Sequence, residues 1–383
     1  MQSLPTMDSL LEDMIMRHAS DLYLTFGSPP SYRVADDMVP LETSPLDDAA
    51  IAGYLEQLLT PDQIDEFQTT LEFNTGMAFR DNLARFRINV FRQQQHSGLV
   101  IRRIQTDIPT AAGLGLTSAY TDLVMEKRGL VLVVGPTGSG KTTSMAAMIG
   151  HLNNNSSGHI ITVEDPIEYV HTHKKCIITQ RDVGLDTYSF SIALKNALRQ
   201  RPDVVLIGEI REREVMEQAL YFAETGHLCL ATLHASNASQ AIERAINFFP
   251  EERHPQILLN LSLNLRGILS QRLVANLKGG RSLAVEVMLN NGLIRQLVEE
   301  GKIRQIREMI ERGTSEGMRT FDQSLVELFA SGIISAEVAI AESDNPANVR
   351  LHIKQLETAN KNTSSEKYVI KSARSAYTNN EQY

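Results

Sequence analysis

Leu10, Leu11, Met14 and Ile15 recur at helical spacing within residues 8–19, and Leu22, Leu24 and Phe26 then alternate in strand fashion. The first spacing predicts a helix and the second a strand, closed by the turn signal Gly27-Ser28-Pro29-Pro30 and followed by another strand. A further helix is predicted over residues 49–59. Arg85-Phe86-Arg87-Ile88-Asn89-Val90-Phe91 and Leu99-Val100-Ile101-Arg102-Arg103-Ile104 predict two strands with arginines along them. These elements make an α+β unit over residues 1–110.

Past Pro109 the pattern changes. Leu130-Val131-Leu132-Val133-Val134 is an uninterrupted run of β-prone residues, as in a strand buried on both faces of a parallel sheet. Apolar runs at residues 159–163, 204–207 and 228–233 are separated by helical stretches, the βα alternation of a nucleotide-binding α/β domain, which we place at residues 111–354. Beyond about residue 255 helical periodicity is expected to replace the strands. It is clearest in Phe321, Leu325, Leu328 and Phe329, behind the capping-box sequence Thr320-Phe321-Asp322-Gln323. Residues 355–383 are rich in Asn, Ser, Thr and Lys and poor in apolar residues, so a disordered tail is expected there.

Composition narrows the function classes. The 37 basic residues against 46 acidic ones leave a net charge of -9, with no global attraction for nucleic acid or anionic lipid. Cys176 and Cys229 stand far apart and outside any CxxC spacing, which argues for two reduced thiols rather than a disulfide framework or zinc site. The start Met1-Gln2-Ser3-Leu4-Pro5 lacks a basic-then-apolar profile, and no apolar run nears the roughly 20 residues of a membrane span. A cytoplasmic protein is expected, meeting the membrane only through partners.

Gly135-Pro136-Thr137-Gly138-Ser139-Gly140-Lys141-Thr142 matches the Walker A pattern between a predicted buried strand and a predicted helix that takes in Thr143. The glycines let backbone amides wrap the phosphates of ATP, Lys141 reaches the β and γ phosphates, and the Thr142 hydroxyl is placed to ligate Mg2+. Val204-Val205-Leu206-Ile207-Gly208-Glu209 ends an apolar strand in an acid, as a Walker B element does, with glutamate where aspartate is usual; Glu209 would meet the Mg2+ directly or through water. Ile161-Thr162-Val163-Glu164-Asp165-Pro166-Ile167-Glu168 places acids behind another strand. Glu164 is the candidate general base or water-orienting group, although a solvated acidic loop explains the pattern equally well. His227 and His234 bracket the strand between them. Structural histidines are the commoner explanation, and a γ-phosphate sensor or a partner for the acids is the alternative.

Taken in order, Walker A, Val163-Glu164-Asp165-Pro166-Ile167-Glu168, Ile207-Gly208-Glu209-Ile210-Arg211 and the Thr225-Gly226-His227 to His234 segment resemble the Walker A, Asp box, glutamate-bearing Walker B and His box of the type II and type IV pilus secretion ATPases. The resemblance extends from Ser20-Asp21-Leu22 to Gly317-Met318-Arg319-Thr320-Phe321-Asp322-Gln323, roughly residues 8–353. The short chain and absence of a four-cysteine element resemble the retraction branch. Phe222-Ala223-Glu224-Thr225-Gly226-His227 and Phe248-Phe249-Pro250-Glu251-Glu252-Arg253 look most like the PilU side of the PilT/PilU family.

That resemblance implies a PAS-like N-terminal domain before a RecA-like ATPase domain with a helical C-terminal subregion, assembled as a homo-hexamer. It also implies partnership with a PilT-like main retraction ATPase and an inner-membrane pilus platform protein. Interfacial arginines of the N-terminal domain are implied to stabilise transferred charge, with Arg87 and Arg102 matching best and Arg85 and Arg103 close rivals. One departure is Leu293-Ile294-Arg295-Gln296-Leu297-Val298-Glu299-Glu300, where Glu299 replaces an arginine of the main motor's element, so that dependence on the main motor is expected. Two other classes compete: a nucleic-acid-dependent RecA-like motor, disfavoured by the acidic balance, and a largely structural ATP-binding ring subunit, disfavoured by the complete set of acids.

Overall fold

The computed structural model describes residues 4–35, 37–80, 84–104 and 107–358. The chain falls into two compact units, one of residues 1–108 with 161–200 and the other of residues 109–160 with 201 onward.

In the first unit, α1 (Met7–Met16) leads into β1 (Asp21–Thr25), β2 (Ser31–Val34) and β3 (Asp37–Pro40). Then come α2 (Asp48–Leu58), α3 (Pro61–Thr70), β4 (Glu72–Phe79), β5 (Ala84–Gln93) and β6 (His96–Ile104). The strands form an antiparallel sheet in the order β3-β2-β1-β6-β5-β4. Thr6, Asp47 and Thr60 cap the three helices, and Thr60 with Gln63 completes a capping box ahead of Pro61. Phe86, Ile88 and Val90 are buried at period two together with Leu10, Leu11, Met14, Leu22 and Leu24. The same alternation turns Arg85, Arg87 and Arg102 to the sheet's other face, where Arg87 stands directly opposite Arg102.

In the second unit, α4 (Ser118–Val124), β7 (Gly129–Val134) and α5 (Lys141–Asn155) precede β8 (Gly158–Glu164). β8 starts beside residue 203, with the His159 amide donating to the Asp203 carboxylate at 2.8 Å, and its remainder belongs to the first unit with β9 (Cys176–Asp182) and α6 (Phe190–Ala197). The second unit resumes with β10 (Val204–Ile207), α7 (Arg213–Glu224), β11 (Leu228–Leu233), α8 (Ala238–Asn247) and α9 (His254–Asn264). A long hairpin of β12 (Leu265–Ala275) and β13 (Arg281–Leu289) follows, then α10 (Gly292–Glu299), α11 (Ile306–Arg312), α12 (Phe321–Ala330) and α13 (Ala336–Ala341). Residues 346–358 are helical too, and the expected tail lies outside the described residues from 359 on.

β10, β11, β7 and β12 are parallel neighbours in that order, with β13 antiparallel beyond β12. Every residue of β7 and β11 is buried, and each large aliphatic side chain so buried contributes about 2 kcal/mol, which holds these two strands at the sheet's centre. The hairpin occupies chain that the sequence pattern read as helical. Ser270, Gln271 and Arg272 interrupt its apolar run, and the structure shows why they are tolerated: Ser270 donates to Glu286, and Gln271 donates to Ser144 and Tyr120, all inside the fold. The capping box expected at Thr320 and Gln323 is present at the start of α12. Both cysteines are buried, and they form no disulfide with each other.

Candidate nucleotide-binding and catalytic site

β7 delivers the chain into residues 135–140, and α5 starts at Lys141 with Gly140 as its N-cap in the left-handed region at φ 86°. Glycine is required at both ends of this turn for different reasons. Gly140 needs the backbone freedom, whereas a side-chain carbon on Gly135 would sit 2.6 Å from the Gln271 carbonyl of the adjacent strand. The first-turn amides of α5 therefore face a loop whose backbone can approach an anion closely. The Lys141 ammonium donates to the Gly135 and Pro136 carbonyls at 2.9 Å each, which holds it folded against that loop.

Glu209 and His234 lie just past the ends of the neighbouring strands β10 and β11. His234 Nε2 is 2.8 Å from Glu209 Oε1, and Arg211 binds the other carboxylate oxygen at 2.8 Å through both Nε and Nη2. Burial holds the His234 imidazole below its usual pKa. Glu209 pulls the other way, while Lys141, Arg244 and Arg211 oppose protonation, so at neutral pH a neutral ring donates to Glu209. Lys141 is near enough for its charge to disfavour protonation of the ring, which groups Walker lysine, Walker B glutamate and His-box histidine in one cluster. Two more bonds lock the strand ends: the Ile210 amide donates to Thr232 O at 2.9 Å, and the Thr232 hydroxyl donates to Gly208 O.

His227 sits at the opposite end of β11, roughly 20 Å away at the rise of an extended strand. Its Nδ1 meets the Thr225 hydroxyl and the Phe222 carbonyl, and its ring stands edge-on to Phe222. Within one chain it is not brought to the Glu209 cluster.

Glu164, in the first unit, ends β8 and is 8% exposed. Burial raises its carboxyl to about 7, against hydrogen bonds from Thr162 and Gln180 that favour the charged form and the nearby charges of Glu168 and Asp182 that do not. The Thr162 hydroxyl donates at 2.7 Å and Gln180 Nε2 at 3.3 Å, both to Oε1. Gln180 also donates to Tyr169 O and accepts from the His171 amide, so it ties the loop after Glu164 to β9. A carboxyl that titrates near neutrality can take a proton from water without holding it permanently.

Arg87 and Arg85 line a cavity of about 590 Å3 in the first unit together with Asp182, whose charge Arg87 favours. Arg102 is spent locally: its Nε donates to Asp21 Oδ1 at 2.8 Å, and Asp21 is buried. Arg103 lies 3.5 Å from the Ile15 carbonyl.

Sequence reasoning missed several parts. Beside the phosphate loop a cavity of about 580 Å3 is lined by Gly113, Leu114, Leu273, Leu283, Leu328 and Ile333 with Thr143 and Ser144 of α5, walls suited to a nucleobase. Only the glycines at 113 and 115 hinted at it. Gln271 backs α5 from a fully buried position, and Thr162, Gln180 and Arg211 orient the two key carboxylates.

For Mg2+, the Thr142 hydroxyl and Glu209 supply hard oxygen donors. No three His, Cys, Asp or Glu residues among the described ones gather into a metal cage. That donor set fits an ion arriving with nucleotide phosphates, as Mg2+ does.

A phosphate loop between a buried parallel strand and a helix, with acid and histidine at the ends of the adjoining strands, defines a P-loop NTPase domain. Residues 4–322 match the family described as Type II/IV secretion system protein, and the chain belongs to that family. It is 48% identical over 348 residues to the type IV pilus ATPase PilU of Pseudomonas aeruginosa, spanning 91% of each chain. The PilT retraction ATPase of the same organism is 41% identical over 331 residues, covering 86% of this chain and 96% of that one. The crystal structure of the pilus retraction motor PilT with bound ADP matches with a TM-score of 0.84 and 38% identity, over 90% of this chain and 98% of the other. The resemblance to the PilT/PilU family and the α/β fold class read from the sequence are borne out. No helix among the described residues is long and apolar enough to cross a membrane.

Proposed function

We propose that the chain is an Mg2+-dependent ATPase subunit of type IV pilus retraction. It works as a homo-hexameric ring on the cytoplasmic face of the inner membrane, beside the platform protein and in dependence on the main PilT-like motor. The observation that carries this is the cluster of Lys141, Glu209 and His234 at the phosphate loop, in a chain that aligns with PilU over 91% of its length.

In this reading Lys141 and the first-turn amides of α5 hold the β and γ phosphates. Thr142 and Glu209 would hold Mg2+, which spreads the phosphate charge when bound. Glu164 orients the attacking water and takes its proton as the water oxygen bonds to the γ-phosphorus. The bond to the β-γ bridging oxygen breaks, and its electron pair leaves on ADP. His234 keeps Glu209 oriented, and of the two arginines Arg87 is the candidate to meet the transferred charge across a subunit boundary, Arg102 being held by Asp21. Glu299 is exposed on α10, where its sign change can alter a contact with the platform or the main motor.

The test is ATP hydrolysis by the purified full-length protein, with Lys141→Ala and Glu209→Gln beside it, without and with the main motor. Turnover that both substitutions abolish supports the site. Turnover indifferent to both would refute it, and full pilus retraction in cells lacking the main motor would refute the dependence.

A further inference from the structure

Arg272 stands on β12 one residue past Gln271, whose carbonyl packs against Gly135. It lines a cavity of about 460 Å3 whose walls include Pro136, Thr137, Gly138 and Ser139 of the phosphate loop on one side and Glu342 and Ser343 on the other. The side chain is 20% exposed, and its guanidinium carbon lies over Phe321, 3.9 Å from the ring centroid. Its Nη2 pairs with Asp344 Oδ1 at 2.7 Å, and its Nη1 donates to Glu342 O at 3.0 Å. A planar cation is thus held at the wall of the phosphate-loop cavity with its charge answered by a carboxylate from the C-terminal helical subregion.

Asp344 does not depend on that cation alone. Its second oxygen lies 3.9 Å from Arg307 Nη1, and its backbone amide donates to Asp322 Oδ1 at 2.8 Å. Asp322 is itself paired with Arg307 at 2.9 Å. If the Arg272 guanidinium turned toward a phosphate, Asp344 would keep a counter-charge and its backbone anchor, so the exchange strands no buried charge. Arginine's fork suits phosphate oxygens as well as carboxylate ones.

We infer that Arg272 is a further nucleotide-binding residue, shared between the phosphates of the bound nucleotide and Asp344. Nucleotide binding and the docking of residues 342–345 are then linked through one guanidinium. The inference rests on the reading of residues 135–142 as the nucleotide site. Because Asp344 competes with phosphate for the same cation, linkage makes the two effects reciprocal: weakening the Asp344 pair strengthens the nucleotide contact.

The test is titration of the full-length protein with fluorescent ADP and with ATPγS in the presence of Mg2+. Arg272→Gln is expected to weaken ATPγS binding by about tenfold or more, the loss of one charge-assisted hydrogen bond. Asp344→Asn is expected to tighten it, by roughly threefold on the scale of a partly exposed ion pair. The second variant decides the matter should the first lose its fold along with its contact to Phe321. A purely structural Arg272 predicts that Asp344→Asn leaves the affinity unchanged or weaker, and either result overturns the inference. So does an Arg272→Gln protein of native circular dichroism and unaltered affinity. Absence of nucleotide binding by the unsubstituted protein would remove the site reading and this inference together, whereas binding that neither variant alters removes this inference alone.

Discussion

His234 Nε2 is hydrogen-bonded to Glu209 Oε1 at 2.8 Å, across the ends of two adjacent parallel strands, while Arg211 occupies the other oxygen of the same carboxylate. A carboxylate gripped from both sides has one orientation, and only Glu209 of the three comes from a Walker B strand end. Replacing His234 by alanine frees one oxygen and leaves the Arg211 contact, so binding should survive while chemistry suffers. Expected is a fall in kcat of about 100-fold with KM changed much less, on the scale of losing one preorganised hydrogen-bond donor. Steady-state kinetics over a range of ATP concentrations checks the split.

Glu164 carries two consequences of its burial. As the proposed base it must be ionised, so hydrolysis should rise with pH through an acidic limb near its value of about 7. Thr162→Val and Gln180→Leu each remove a bond that favours the charged form, and both should move that limb to higher pH; a limb that stays in place in both variants would exclude Glu164 as its source.

Stability has the opposite dependence. With a folded value near 7 against an ordinary 4.5, the native state binds the proton more tightly, so the protein loses stability as pH rises through that window and stays penalised above it. Glu164→Gln should therefore raise Tm at pH 8, with up to about 3 kcal/mol recovered, and should match the unsubstituted protein near pH 4. Thermal melts at the two pH values decide it.

The parts legible in the sequence were those whose signal is local. Walker A, the all-apolar β7 and the largely apolar β11, and the alternation of β5 are written in consecutive residues, and capping at Thr320 in four. What escaped depends on partners far along the chain. β12 does not look like a central strand until Gln271 is seen bonding Ser144, 127 positions away, and Tyr120, 151 away. Gln180 is a plain glutamine in an edge sequence until β9 brings it within 3.3 Å of Glu164. The two histidines show the converse: near neighbours in the sequence pattern, they are separated by the full length of an extended strand.

Gly135 offers a test of the loop's backing. A methyl at this position would meet the Gln271 carbonyl at 2.6 Å, and that carbonyl cannot yield easily because β12 pairs with β7 up to Ser270 opposite Val134. Gly135→Ala should cost about 1–3 kcal/mol and impair nucleotide binding. Gly138→Ala meets no atom within 4 Å and bears only the strain of φ 76°, about 1–2 kcal/mol. Fluorescent ADP titration of both variants should rank Gly135→Ala as the more damaged.

Arg87 and Arg102 face each other across β5 and β6, yet their surroundings assign them different work. Arg102 is bonded at 2.8 Å to Asp21, a buried carboxylate on β1, so truncating it strands that charge and should destabilise the first unit by about 1–3 kcal/mol. Arg87 lines a cavity instead, and its truncation removes charge from a surface available to another group. Arg102→Ala should lower Tm, with hydrolysis at low temperature falling only as folded protein is lost. Arg87→Ala should leave Tm within about 0.5 kcal/mol of the unsubstituted protein and reduce kcat at least about tenfold. Melting curves and ATPase rates on the same preparations separate the two, and a drop in kcat for Arg102→Ala at unchanged Tm would transfer the proposed charge-stabilising role from Arg87 to its neighbour.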